Sequence, residues 1–132
     1  LYTGTLAAVA GGVTGVFEMP NTHPPTTTVE SIRDKLGRAE GRAWCNVAFY
    51  GGGSPENAHR LGELETLPGC CGIKVFMGSS TGSLLLSEDE LIETALRSTR
   101  RRMTFHSEDE ERLKARKAEL FQEGGHYDAS MH

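Results

Sequence analysis

The sequence predicts an α/β protein built on a parallel β-sheet, and three observations support this fold class. Helical patterns and short apolar runs alternate along the 132 residues, which is typical of parallel βαβ units. Four strands can be assigned, and each is followed by a helix or a turn. One of them, Ile73 to Met77, is mostly apolar and bounded by glycines, as expected for a strand that a parallel sheet buries on both faces.

The first part of the chain predicts one helix end, two strands and a second helix. Thr5 to Ala10 form the end of a helix that Gly11 stops, and Val13 to Met19 form the first complete strand. Thr28 can cap the next helix, which leads to a second strand from Ala43 to Tyr50. The apolar positions of this helix repeat at helical spacing, at Ile32, Leu36 and Ala39.

A glycine run is expected to end the second strand and a helix to follow it. Ser54 can serve as the N-cap, with Pro55 at the first helical position. The apolar face of this helix consists of Ala58, Leu61 and Leu64. The Leu67-Pro68-Gly69 segment breaks the helix before the strand that contains Lys74.

The last part of the chain predicts two helices and one strand. Ser87 and Glu90 are spaced as a capping box, and the helix that follows has apolar positions at Leu91, Ile92, Ala95 and Leu96. Met103 to His106 form the fourth strand, and a charged helix runs from Glu110 to Phe121. Gly124 and Gly125 are expected to end this helix.

Composition excludes several classes of function. The net charge of −4 arises from mixed charges with no basic stripe, so nucleic acid is not an expected partner. The arginines between Arg97 and Arg102 are interpreted as a solvated loop. No apolar run approaches the ~18 residues of a membrane span, which predicts a cytoplasmic protein. Cys45, Cys70 and Cys71 form no zinc-knuckle pattern and are interpreted as small buried thiols.

Lys74 is a chemical anomaly, because it lies inside an otherwise apolar strand. Burying an unpaired ammonium costs several kcal/mol or more, so such a lysine is paired, neutral or modified. A neutral amine can capture carbon dioxide and become a carbamate, an oxygen ligand able to bridge two metal ions. The alternative is a lysine that extends to the strand end or pairs with a carboxylate.

His106 ends the fourth predicted strand. In α/β barrels the residues that perform chemistry lie at the carboxyl ends of the strands, so a histidine there is a candidate ligand. The alternative is a histidine that only hydrogen-bonds its neighbours. Together, Lys74 and His106 would converge on one mouth of a barrel.

Three segments of the chain resemble the dihydroorotases of the amidohydrolase superfamily. Ala10 to Thr22, with its Met-Pro-Asn-Thr turn, resembles that family's second strand. Gly72 to Gly82 resembles the strand of the carbamylated lysine with its following loop, and Phe105 to Glu110 resembles the strand that presents a metal-binding histidine. The resemblance extends along nearly all of the chain.

This resemblance implies a (β/α)₈ TIM barrel, of which the chain would hold only a part. Such a barrel takes about 250 residues, so residues 1–132 would form about four consecutive β/α units of a single domain. The family's first strand, with its His-x-His metal pair, would then lie upstream. A further metal histidine and a catalytic aspartate would lie downstream.

The resemblance also implies a function and a set of site residues. Two zinc ions would be bridged by carbamylated Lys74, as the catalytic centre, and His106 would hold a metal. Asn21, Ser80 and Thr81 would bind the substrate. The reaction would interconvert dihydroorotate and carbamoyl aspartate in pyrimidine synthesis, in an intact protein that forms a homo-oligomer. Two alternatives stay open: another cyclic amidase, such as a hydantoinase, dihydropyrimidinase or allantoinase, or a non-catalytic partner subunit.

Overall fold

Four parallel strands form one curled sheet, a half-barrel, in the computed structural model, which describes residues 1–78 and 83–122. The strands are β1 (Gly15–Glu18), β2 (Asn46–Gly52), β3 (Cys70–Phe76) and β4 (Met103–His106). Each strand pairs in parallel with the next strand along the chain, in the order β1-β2-β3-β4. The predicted α/β class and the partial barrel are therefore confirmed.

Helices precede, connect and follow these strands. They are α1 (Tyr2–Ala10), α2 (Val29–Ala39), a 3₁₀ turn (Ala58–Arg60), α3 (Gly62–Glu65), α4 (Asp89–Ser98) and α5 (Glu110–Gln122). Within the described residues, none of these helices is long and apolar enough to cross a membrane.

The two faces of the sheet have different surroundings. Ile73 and Val75 are fully buried on the outer face, where they pack in one cluster with Leu61, Leu64 and Ala95 from the connecting helices. Full burial of one such side chain stabilises the fold by about 1.5–3 kcal/mol. Because side chains alternate along a strand, Lys74, which lies between Ile73 and Val75, projects to the opposite, inner face.

The glycines at the end of β2 continue the strand instead of ending it, contrary to the sequence expectation. The N–H of Gly52 donates to the carbonyl of Thr26, and the N–H of Gly53 donates to the carbonyl of Lys74. A Cβ atom on Gly51 would lie only 3.1 Å from a methyl carbon of Ile73. Glycine is needed there because neighbouring elements approach the strand closely.

Two of the three predicted N-caps were wrong. Thr28 does cap α2, in a capping box with Ser31. Ser54 begins no continuous helix: the chain passes through a turn, the 3₁₀ segment and the short α3. The helix α4 has Glu88 as its N-cap residue without a side-chain cap hydrogen bond, so the Ser87 capping box does not form. Leu96, expected on the apolar face, is exposed.

A buried carboxylate fixes the loop between α4 and β4. Glu65 is 3% exposed, and its two carboxylate oxygens accept hydrogen bonds from the backbone N–H groups of Arg100 and Arg101 at 2.8 and 2.9 Å. The side chains of Arg100, Arg101 and Arg102 remain exposed. The interpretation as a solvated loop is therefore confirmed for Arg100 to Arg102, but it was wrong for Arg97, which lies in the last turn of α4 and pairs with Glu93.

Gly72 is required where β3 approaches the loop before β4. Its φ is +154°, and a Cβ atom there would lie 2.5 Å from the carbonyl oxygen of Arg102. We expect Gly72→Ala to lower the free energy of unfolding by at least ~2 kcal/mol, because strain at a rare φ adds to a backbone clash. Urea unfolding followed by circular dichroism measures this loss.

Gly15→Ala is the matched control for that substitution. Gly15 also lies in a strand, but its added Cβ would meet Asn46 at an ordinary contact distance of 3.6 Å. We expect this variant to unfold within about 1 kcal/mol of the parent chain. Equal losses in the two variants would contradict the assignment of a special role to Gly72.

Candidate active site

Lys74 and His106 lie on the same face of the sheet, as the register of β3 and β4 shows. Lys74 is opposite Thr104, and Phe76 is opposite His106. Since Lys74 and Phe76 are two residues apart on one strand, all four side chains project to the inner face. The Cα atoms of Lys74 and His106 are separated by one strand spacing and two residues, or roughly 8 Å.

The amine of Lys74 lies in a partly buried, mainly apolar environment. Its Nζ is 4.9 Å from the centroid of the Phe76 ring, and none of the described carboxylates forms a salt bridge with it. Burial lowers the pKa of Lys74 below its ordinary value, because desolvation disfavours the ammonium form. The environment therefore makes the neutral amine, which is the form that can react with carbon dioxide, easier to reach than on an exposed lysine.

His106 is held at the carboxyl end of β4 by backbone and side-chain contacts. Its carbonyl accepts a hydrogen bond from the N–H of Met77 at 2.9 Å, and its ring centroid lies 5.8 Å from that of Phe76. The Phe76 ring therefore contacts both candidate groups. This arrangement places the histidine beside the lysine at one edge of the half-barrel.

Glu108 is a candidate site residue that sequence reasoning missed. Its Oε2 lies 3.2 Å from His106 Nε2, and this oxygen is buried without a hydrogen-bond partner among the described residues. A Cβ atom on Gly78 would lie 2.8 Å from the Cβ of Glu108, so the segment after β3 packs directly against the Cβ and backbone of this residue. The sequence feature that could have indicated Glu108 was its position two residues after His106, in the short connection between β4 and α5.

Asn21 lies in the turn that follows β1, at the same edge of the sheet. Its side chain is exposed and makes no hydrogen bond with the described part of the chain, so the alternative role in fixing its own turn has no support there. The turn is closed by other groups: the N–H of Thr26 donates to the carbonyl of Pro20, and the Thr22 hydroxyl donates to the carbonyl of Pro24. Ser80 and Thr81 lie outside the described residues.

Metal ligands are incomplete in residues 1–78 and 83–122. No group of three His, Cys, Asp or Glu side chains there could hold a metal ion, and the three cysteines are free. The candidate donors at the mouth are His106 and, after carbamylation, Lys74. A cavity of about 570 Å³ lies elsewhere, between the turn after β1 and the polar face of α2, and contains none of these donors.

Comparison with known proteins identifies relatives of one chemical class. The chain is 44% identical to allantoinase from Saccharomyces cerevisiae over 111 residues, which are 80% of this chain and 24% of that protein. It is 38% identical to dihydroorotase from Methanosarcina mazei over 112 residues, which are 83% of this chain and 24% of that protein. No protein-family model matches the chain.

Solved structures show the same relationship. The L-hydantoinase of Arthrobacter aurescens superposes with a TM-score of 0.82 and 27% identity, covering 92% of this chain and 28% of that one. The dihydropyrimidinase of Brevibacillus agri, at 22% identity and a TM-score of 0.69, shares the fold. The chain spans about a quarter of the length of these relatives. It is thus homologous to a segment of the cyclic amidases of the amidohydrolase superfamily, with allantoinase, dihydroorotase and hydantoinase all represented among its relatives.

Proposed function

We propose that this chain supplies part of the active site of a zinc-dependent hydrolase of cyclic amides. The observation that carries the proposal is the position of Lys74 and His106 on one inner face, at the carboxyl edge of a parallel half-barrel. In barrel enzymes the catalytic groups lie at the carboxyl ends of the strands, which form this edge of the sheet. A non-catalytic subunit would have no physical reason to keep a lysine amine partly buried against Phe76.

The donor set at this edge fits zinc in part. Carbamylated Lys74 would offer two oxygen ligands and His106 a ring nitrogen, and zinc sites take three or four protein ligands. The remaining ligands would come from outside the described residues. When bound, zinc polarises a carbonyl and lowers the pKa of water, which is the chemistry that amide hydrolysis needs.

The chain's own residues would orient the ring and limit access of water. The exposed amide of Asn21 can donate and accept hydrogen bonds at the polar edge of a cyclic amide. The Phe76 ring, 9% exposed, shields the inner face between Lys74 and His106 from solvent. Glu108 Oε2, next to His106 Nε2, can fix the orientation of the imidazole.

Two ring substrates are proposed, each on its own observation. Dihydroorotate is supported by the resemblance of the Pro20-Asn21-Thr22 turn to that of the dihydroorotases. Allantoin is supported by sequence identity, which is 44% for the yeast allantoinase and 38% for the archaeal dihydroorotase. Both substrates undergo cleavage of a cyclic amide bond, so the proposed roles of Lys74 and His106 are the same.

Chimeric enzymes test this function and separate the two substrates. This chain would replace its matched segment in the S. cerevisiae allantoinase and in the M. mazei dihydroorotase, and each chimera would be assayed with its host's substrate. We expect hydrolysis by both, with the larger retained fraction of host activity identifying the better substrate. Two chimeras that fold, as judged by circular dichroism, and hydrolyse neither ring would overturn the proposal.

A further inference from the structure

Asn57 forms the main side-chain link between the turn after β1 and the carboxyl end of β2. Its Nδ2 donates to the carbonyl of Thr27 and to the carbonyl of Gly52, both at 2.9 Å. Its Oδ1 accepts from the N–H of Ser54 at 2.8 Å. The residue is only 5% exposed, so this amide uses both its donors and its acceptor within the protein.

The backbone next to these contacts continues the connection to the lysine strand. The N–H of Gly52 donates to the carbonyl of Thr26 at 2.8 Å, and the N–H of Gly53 donates to the carbonyl of Lys74 at 2.9 Å. One buried amide therefore joins three segments: the turn that carries Asn21, the end of β2 and, through Gly53, the backbone of Lys74.

We propose that Asn57 is a positioning residue that sets the Asn21 turn against the Lys74 strand. Asn57 lies between β2 and the 3₁₀ turn. It acts through the carbonyls of Thr27 and Gly52 and does not contact the substrate. Its catalytic consequence rests on the proposed function, whereas the mechanical link itself does not. Loss of the two donors would leave the carbonyls of Thr27 and Gly52 without this partner, so the turn should detach from β2 while the outer core remains packed.

Asn57→Asp tests the link with almost no change of shape. The aspartate keeps an acceptor for the N–H of Ser54 but loses both donors and turns a carboxylate oxygen toward two carbonyls. The matched control is Asn46→Asp, because Asn46 is exposed at the opposite end of β2. Amide hydrogen exchange of the chain, resolved by NMR, reports on the Thr26 and Gly52 N–H groups.

We expect Asn57→Asp to speed exchange at Thr26 and Gly52 by roughly tenfold or more relative to Ile73 in the core of β3. Asn46→Asp should leave this ratio unchanged. Equal acceleration at Ile73 would show a general loss of stability and overturn the positioning role, as would unchanged exchange. If Asn57→Asp does not fold, Asn57→Ser, with one hydroxyl donor, is measured in the same way, and failure of both to fold also overturns the proposal.

A kinetic measurement connects the link to the site. In the allantoinase chimera, displacement of the Asn21 turn should raise KM by about tenfold with a smaller change in kcat, since it weakens ground-state and transition-state binding alike. A fall in kcat alone would contradict the positioning role. If the parent allantoinase chimera is inactive, the same KM measurement is made in the dihydroorotase chimera; inactivity of both would overturn the proposed function, and the exchange result would still decide the link separately.

Discussion

Replacing Lys74 with methionine should abolish hydrolysis in a chimeric amidase that carries this chain while leaving the fold intact. Methionine has a similar length and suits the apolar strand, but it can form no carbamate. Since metal activation of a carbonyl and of water is worth several kcal/mol, we expect kcat to fall on the order of 10³-fold or more. Initial rates at saturating substrate, with circular dichroism on the same samples, measure this effect.

Lys114→Met is the control for that loss. Lys114 is exposed on α5 and pairs with Glu110 and Glu111 at the surface, where such ion pairs contribute little. The activity of the Lys114→Met chimera should stay within about twofold of that of the parent chimera. Residual kcat above about a tenth of the parent value in Lys74→Met would show that the lysine holds no essential group.

The isolated chain should neither bind zinc tightly nor retain a carbamate on Lys74. His106 and a carbamylated Lys74 are fewer than the three or four protein ligands of a zinc site. The carbamate is a reversible adduct that metal coordination would hold in place. Loss of even a residue that only hydrogen-bonds to a metal ligand weakens metal binding by about 10–100-fold, so we expect zinc affinity at least ~100-fold below that of the intact donor set in the chimera.

Intact-mass analysis in bicarbonate, with and without zinc, measures the adduct, and competition with a chromophoric chelator measures the affinity. The Lys74→Met chain identifies any addition at other amines. A zinc-dependent gain of one carbon dioxide on the parent chain, absent from Lys74→Met, would show that the described donors suffice. The proposed requirement for ligands from elsewhere would then be wrong.

Elements set by local patterns were predictable from the sequence. The limits of β4 at Met103–His106 agree with the structure, and Thr28 caps α2 as expected. The helix predicted after Ser54 was wrong because Asn57 closes a turn through contacts with Thr27, 30 residues away. Such long-range partners leave no periodic signal in the local sequence.

The candidate site was predictable where a residue conflicted with its surroundings. Lys74 stood out as a charged group in an apolar strand, and His106 as the last residue of a short strand. Glu108 gave no comparable signal, because an acidic residue in an exposed loop is ordinary. The importance of Glu108 depends on the approach of Gly78 to its Cβ and of the His106 ring to its Oε2, which only the folded chain brings about.

The strand order has a consequence for synthesis on the ribosome. Because the four strands of the described residues follow one another in the sheet in chain order, each of β2, β3 and β4 can pair with the strand made just before it. The sheet can therefore grow from β1 toward β4 as the polypeptide emerges, one β/α unit at a time. At every stage the newest strand presents an unpaired edge and a bare inner surface to solvent. Chaperone dependence would then be concentrated in the interval before the next strand emerges.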